Sequence, residues 1–121
     1  MNILINLTNH RSSKWSKKQI SEAEMLGEIT DMPFPEVDPY GSSEYIDELV
    51  EEYFLKIKEY DQPVVLVQGE YLFTYRLVNK LKSAGIKTIA GCSDRRTVEY
   101  VDSDGRTTRK SEFEFVGFKE Y

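Results

Sequence analysis

The residues of this chain best suited to chemistry stand where its apolar runs stop. Asn9 and His10 follow the run Asn2–Thr8, and the same polar loop holds Ser12 and Ser13. Gln68, Gly69 and Glu70 follow Pro63-Val64-Val65-Leu66-Val67. Ser93, Arg95 and Arg96 follow Ile86–Cys92. His10 is the sole histidine. It can exchange a proton near neutral pH, or it is an ordinary solvent-facing loop residue. Arg95 and Arg96 can grip a phosphate bidentately, or they belong to a solvated loop. Glu70 and Gln68 can cap the helix expected after them. The same helix start can offer backbone N–H groups to an anion, with Gly69 permitting close approach. Ser12 and Ser13 can orient a ribose or a phosphate. Trp15 and Phe34 can stack on a nucleobase, or they are lids over the core. The sequence contains no Walker A motif, no GxGxxG after the first apolar run, no CxxC and no HExxH. One histidine and one cysteine do not make a strong zinc site.

The elements that must position these residues can be read from periodicity. Asn2 to Thr8 and Pro63 to Val67 are short unbroken apolar runs, as expected of strands buried on both faces. Glu28 to Met32 and Ile86 to Cys92 read as two more strands. Between them lie three helical patterns. Ser16 is a suitable N-cap for a helix through Leu26, with Gln19 completing a capping-box spacing and Gly27 ending it in a left-handed conformation. Ser42 or Ser43 caps a second helix running to about Tyr60, whose Ile46, Leu49, Val50, Tyr53, Phe54 and Ile57 recur at three and four. Its acidic face, Asp47, Glu48, Glu51 and Glu52, reads as solvated. A third helix spans about Tyr71 to Ala84 and stops at Gly85.

This β-α-β-α-β-α-β pattern predicts an α/β domain with a parallel sheet in the order 2-1-3-4. Thr97 to Val101 and Arg106 to Phe118, joined by Asp102-Ser103-Asp104-Gly105, predict a C-terminal antiparallel hairpin. In such a sheet, ligands bind outside the carboxyl ends of the strands. Asn9 and His10, Gln68 to Glu70, and Ser93 to Arg96 would then converge on one edge.

Composition narrows the partners. The 121 residues fit one domain, and 40% hydrophobic with 31% charged is an ordinary globular balance. A formal net charge of -5 argues against a duplex-DNA binder, which needs a positive footprint. A local basic pocket for a small anion remains compatible with it. Cys92 has no partner for an internal disulfide, which favours a reducing compartment, and no leader or membrane-length apolar run is visible. A cytoplasmic protein without membrane contact is expected. The Asn6-Leu7-Thr8 sequon falls in an expected buried strand and is set aside.

Taken together, several motifs resemble one family. They are the strand ending Asn6-Leu7-Thr8-Asn9-His10, the downstream Gln19 and Ala23, and Pro33-Phe34-Pro35. To these are added Val65-Leu66-Val67-Gln68-Gly69-Glu70 with Thr74-Tyr75, Ser93 with Arg95, Arg96 and Glu99, and the closing run Phe113 to Tyr121. The chain resembles the small CRISPR-associated accessory proteins with a Rossmann-like (CARF-like) fold that are grouped with type III ring nucleases. The resemblance implies a single Rossmann-like, three-layer nucleotide-binding domain over residues 1–121. It implies a cyclic oligoadenylate ligand, in particular cyclic tetra-adenylate, a homodimer with the ligand across its two-fold axis, and no cofactor or metal. Its activity would be phosphodiester cleavage by attack of a ribose 2′-OH, leaving a 2′,3′-cyclic phosphate. His10 would suit the proton transfers and Arg95 or Arg96 the developing charge. Asn9, Ser12, Ser13, Trp15, Phe34, Gln68, Gly69, Glu70, Thr74 and Ser93 would contact the ligand. Two other readings stand beside it: a non-catalytic sensor or sponge for the same ligand, and a protein-interaction subunit with no nucleotide.

Overall fold

A computed structural model describes residues 2–121. Its strands are β1 (Ile3–Thr8), β2 (Glu28–Asp31), β3 (Val64–Gln68), β4 (Lys87–Val101) and β5 (Thr107–Glu120). The helices are α1 (Lys17–Leu26), α2 (Ser43–Lys58) and α3 (Tyr71–Ser83), with one 3-10 turn at Ser12–Lys14. They build one five-stranded sheet in the order β2-β1-β3-β4-β5. The first four strands run parallel and β5 is antiparallel to β4. The expected order and the added hairpin are both present, and β3 lies at the centre.

The unbroken apolar runs of β1 and β3 follow from helices on both faces. Ile5, Leu7, Val65 and Val67 join Ile46, Val50, Phe54, Ile57, Phe73 and Leu77 of α2 and α3. Leu4, Val64 and Leu66 alternate to the other face, where they meet Ala23, with Leu26, Trp15 and Phe118 packed around them. Burying a side chain of this size contributes roughly 1.5–3 kcal/mol. Trp15 and Phe34 are therefore both packed against core clusters.

Local chemistry sets the helix ends. Ser16 Oγ accepts the Gln19 N–H at 3.2 Å, and Ser42 Oγ accepts the Tyr45 N–H at 3.1 Å. Gly85 has φ +76, and the Ile86 N–H reaches back to Leu81 O at 2.9 Å, closing α3 in a left-handed turn. Gly27 differs from expectation. Its φ of 164 is extended, and glycine is required for a different reason: a Cβ there would stand 2.7 Å from Asn2 O. The acidic face of α2 is only partly solvated. Asp47 pairs with Arg76 at 3.1 Å, and Glu51 pairs with Lys80, which ties α2 to α3.

The largest departure lies in β4. It does not end at Cys92 but continues through Ser93, Asp94, Arg95 and Arg96 to Val101, paired along its length with β5. Its parallel pairing with β3 ends at Leu66 and Ile89, and a register shift against β5 follows between Cys92 and Ser93. Beyond it, a two-stranded ribbon projects with most residues exposed. Its turn is built by Asp102, whose Oδ1 accepts the N–H groups of Asp104 at 3.0 Å and Arg106 at 2.9 Å. Among the described residues, no helix is long and apolar enough to cross a membrane.

Candidate functional site

The carboxyl ends of β1 and β3 are neighbours, with Thr8 in register with Gln68. The helix after β1 packs on one face of the sheet and the helix after β3 on the other. Their connections therefore diverge, and a crevice opens between them.

The β1 side is organised by Asn6, which is 2% exposed. Its amide Nδ2 donates to His10 O at 2.9 Å and to Asp31 Oδ1 at 2.8 Å. Its Oδ1 lies 2.8 Å from Thr8 Oγ1, which also stands 3.1 Å from His10 O and accepts the His10 N–H at 3.2 Å. Asp31 takes two further bonds from Ser12, N–H at 3.2 Å and Oγ–H at 2.9 Å. A side-chain network thus holds the loop after β1 against the end of β2. Burial pushes the Asp31 carboxyl up. The bonds from Asn6 and Ser12, with the Arg11 charge, more than offset it and hold the group below its ordinary value. Asn9, Arg11 and Phe34 join Asn6, Thr8 and Asp31 around a cavity of about 450 Å³. Its polar lining comes from both β1 and β2.

The β3 side shows where the expected ligand residues go. Gln68 spends its amide on β4: Nε2 donates to Gly91 O at 3.1 Å and Oε1 accepts the Gly91 N–H at 2.9 Å. The side chain imitates one more backbone pair and clamps β4 as it leaves the sheet. Glu70 is the N-cap of α3 and accepts the Phe73 N–H at 2.8 Å. Gly69 makes room for Phe34, whose ring would lie 2.3 Å from an added Cβ. Phe34 in turn packs edge-on against Phe73, with centroids 5.2 Å apart. Thr74 Oγ1 is buried without a hydrogen-bond partner. Gln68, Gly69 and Thr74 also line a second cavity, about 550 Å³, which runs along α3.

Ser93, Arg95 and Arg96 do not leave a strand end at this edge, because β5 carries them onward as ribbon. Arg96 pairs with Asp94 at 3.4 Å and Glu114 at 2.8 Å. Arg95 lies over Phe113, 6.0 Å from the ring centroid, and reaches Ser111 Oγ at 3.4 Å. Arg96 shares a third cavity with Ser16 and Lys18 of the α1 start, and none of that cavity's lining belongs to the other two. None of the three cavities is lined by His10 together with Arg95 or Arg96. His10 itself is exposed, as is Ser13, while Ser12 is committed to Asp31. Among the described residues, no three of His, Cys, Asp and Glu come together as metal ligands do.

Asn6 and Asp31 organise the site, yet neither was among the sequence candidates. The one legible signal was a lone amide inside an otherwise apolar strand, because a buried polar group needs partners. Asp31, at the end of β2, became a partner only through the β1–β2 pairing. A sequence model for the Uncharacterized protein MJ1673 family matches residues 2–119. No curated protein matches the chain.

Proposed function

The chain belongs to the Uncharacterized protein MJ1673 family, and on that premise we propose that it is a Rossmann-like nucleotide-binding protein of the cytoplasm whose ligand is a cyclic oligoadenylate. The motifs that resemble the type III CRISPR accessory proteins support this ligand. One geometric observation carries the reading: the ends of the two central strands meet at a crevice flanked by two cavities. Thr8, Asn9 and Arg11 line one, and Gln68, Gly69 and Thr74 line the other. An exposed arginine and a set of small polar groups suit ribose and phosphate.

Retention of the ligand is favoured over ring cleavage by a specific observation. Cleavage by 2′-OH attack needs alignment, a proton carrier and stabilisation of charge on the phosphate. His10 stands at one cavity's rim loop, while Arg95 and Arg96 are engaged on the ribbon. A metal-independent ring nuclease remains the second reading, with alignment by the crevice as its main resource. A homodimer belongs to both readings. Phe115 is buried and Phe118 packs into the α1-side core, but Phe113 is 72% and Val116 52% exposed on the ribbon, which supports a partner surface there.

The test is incubation with cyclic tetra-adenylate, followed by chromatography and by calorimetric titration. Binding without linear products is the expected result. Linear products bearing 2′,3′-cyclic phosphate would establish the nuclease instead. Absence of both binding and cleavage would remove the cyclic oligoadenylate reading. Light scattering that gives a monomer would remove the dimer.

A further inference from the structure

The cavity along α3 has a chemistry that the crevice does not share. Tyr71, Thr74, Tyr75, Val78, Asn79 and Lys82 recur at three and four and form one stripe of the helix. The inner stripe, Phe73, Leu77 and Leu81, is fully buried against the sheet and α2. The outer stripe has no helix beside it. Tyr71 is 85% and Tyr75 69% exposed, one turn apart. The opposite wall is Tyr121, whose hydroxyl donates to Val67 O at 2.6 Å and whose carbonyl oxygen accepts from Lys82 Nζ at 2.9 Å.

We propose that this groove seats the adenine base of a nucleotide, stacked on Tyr71 or Tyr75, with its phosphate toward Lys82. Three observations converge on a planar anionic ligand. The groove is flanked by tyrosines, and base–aromatic stacking tolerates any base. Asn79 lies one turn beyond Tyr75 and carries both a donor and an acceptor, as the edge of adenine requires. Finally, Lys82 is the single charged residue in the lining. The other two cavities each hold carboxylates, Asp31 in one and Glu112 and Glu114 in the other. In a chain of net charge -5, this is the cavity that repels an anion least. Its volume, about 550 Å³, lies within the range of small-ligand sites. The choice of adenine rests on the function proposed above; the aromatic, cationic character of the groove does not.

The test uses the full chain and three probes: adenosine 5′-monophosphate, inorganic phosphate and cyclic tetra-adenylate. The monophosphate should shift the NMR signals of Thr74, of the Asn79 side-chain amide and of Lys82, and phosphate alone should not reproduce the Asn79 shift. Tyr71→Ala and Tyr75→Ala remove exposed rings, so they should fold normally by circular dichroism. At least one should weaken monophosphate binding about 5- to 150-fold, the loss of one stack. The corresponding Tyr→Phe variant should restore it. Shifts confined to the loop of Asn9 to Ser12, unchanged affinity in both alanine variants, or no binding at millimolar monophosphate would each overturn the groove. If cyclic tetra-adenylate fails to bind while the monophosphate fills the groove, the ring ligand is wrong and the groove stands. If the ring binds equally to wild type and both variants, the groove is wrong and the ring ligand stands.

Discussion

Replacing Asn6 by leucine is the most informative perturbation of the β1 edge. Leucine keeps the same fork of two atoms at Cγ and suits a strand that is otherwise apolar, so hydrophobicity alone predicts a neutral or stabilising change. The network predicts a loss. Asn6 is 2% exposed and makes bonds of 2.9 Å to His10 O and 2.8 Å to Asp31, with Thr8 Oγ1 at 2.8 Å from its own oxygen. Two neutral bonds at about 1 kcal/mol each and one to a carboxylate at about 1.5–3 kcal/mol give roughly 3.5–5 kcal/mol. The apolar gain of leucine offsets about 1–2 kcal/mol. The net expectation is destabilisation by about 1.5–4 kcal/mol at pH 7, read by urea denaturation with an unchanged m-value. Asp31 supplies a second readout. Its folded pKa lies below the unfolded 3.8, so its contribution is complete above 3.8 and is lost as pH falls through the folded value. In Asn6→Leu the Asp31 pKa should rise, which NMR titration of the carboxyl would detect. A variant within 0.5 kcal/mol of wild type, or an unmoved Asp31 titration, would refute the network as the organiser of this edge.

Gln68→Ala should destabilise by about 1–2 kcal/mol, the loss of two neutral bonds in a residue that is itself exposed, and should speed hydrogen exchange of the Gly91 amide. An unchanged exchange rate with weakened nucleotide binding would make Gln68 a ligand residue and not a clamp. Glu70→Ala should cost about 1 kcal/mol in thermal denaturation, the usual worth of a helix cap. The double variant Arg95→Ala/Arg96→Ala should alter stability by no more than about 1 kcal/mol, because its ion pairs are exposed. Its nucleotide affinity in titration calorimetry should match wild type, since neither arginine lines the two cavities at the crevice.

The sequence by itself determined whatever depends on neighbours a few residues apart. Helix caps at Ser16 and Ser42, the left-handed stop at Gly85 and the turn of Asp102 to Arg106 are local bonds between residues at fixed spacing. The order of strands was also legible, because apolar runs covered on both faces admit few right-handed connections. Tertiary structure decided where each polar side chain spends its hydrogen bonds. Gln68 and Glu70 stand two residues apart at the same strand end, yet one clamps β4 and the other caps α3. Gly69 is glycine because Phe34, thirty-five positions earlier, arrives above it. Ser93 to Arg96 looked like a break because charged and polar residues interrupt the apolar pattern. Strand pairing, however, is made by the backbone, and β5 offers its N–H and C=O groups whatever side chains β4 carries. The arginines were thereby carried away from the crevice by a partner strand whose register no local pattern records.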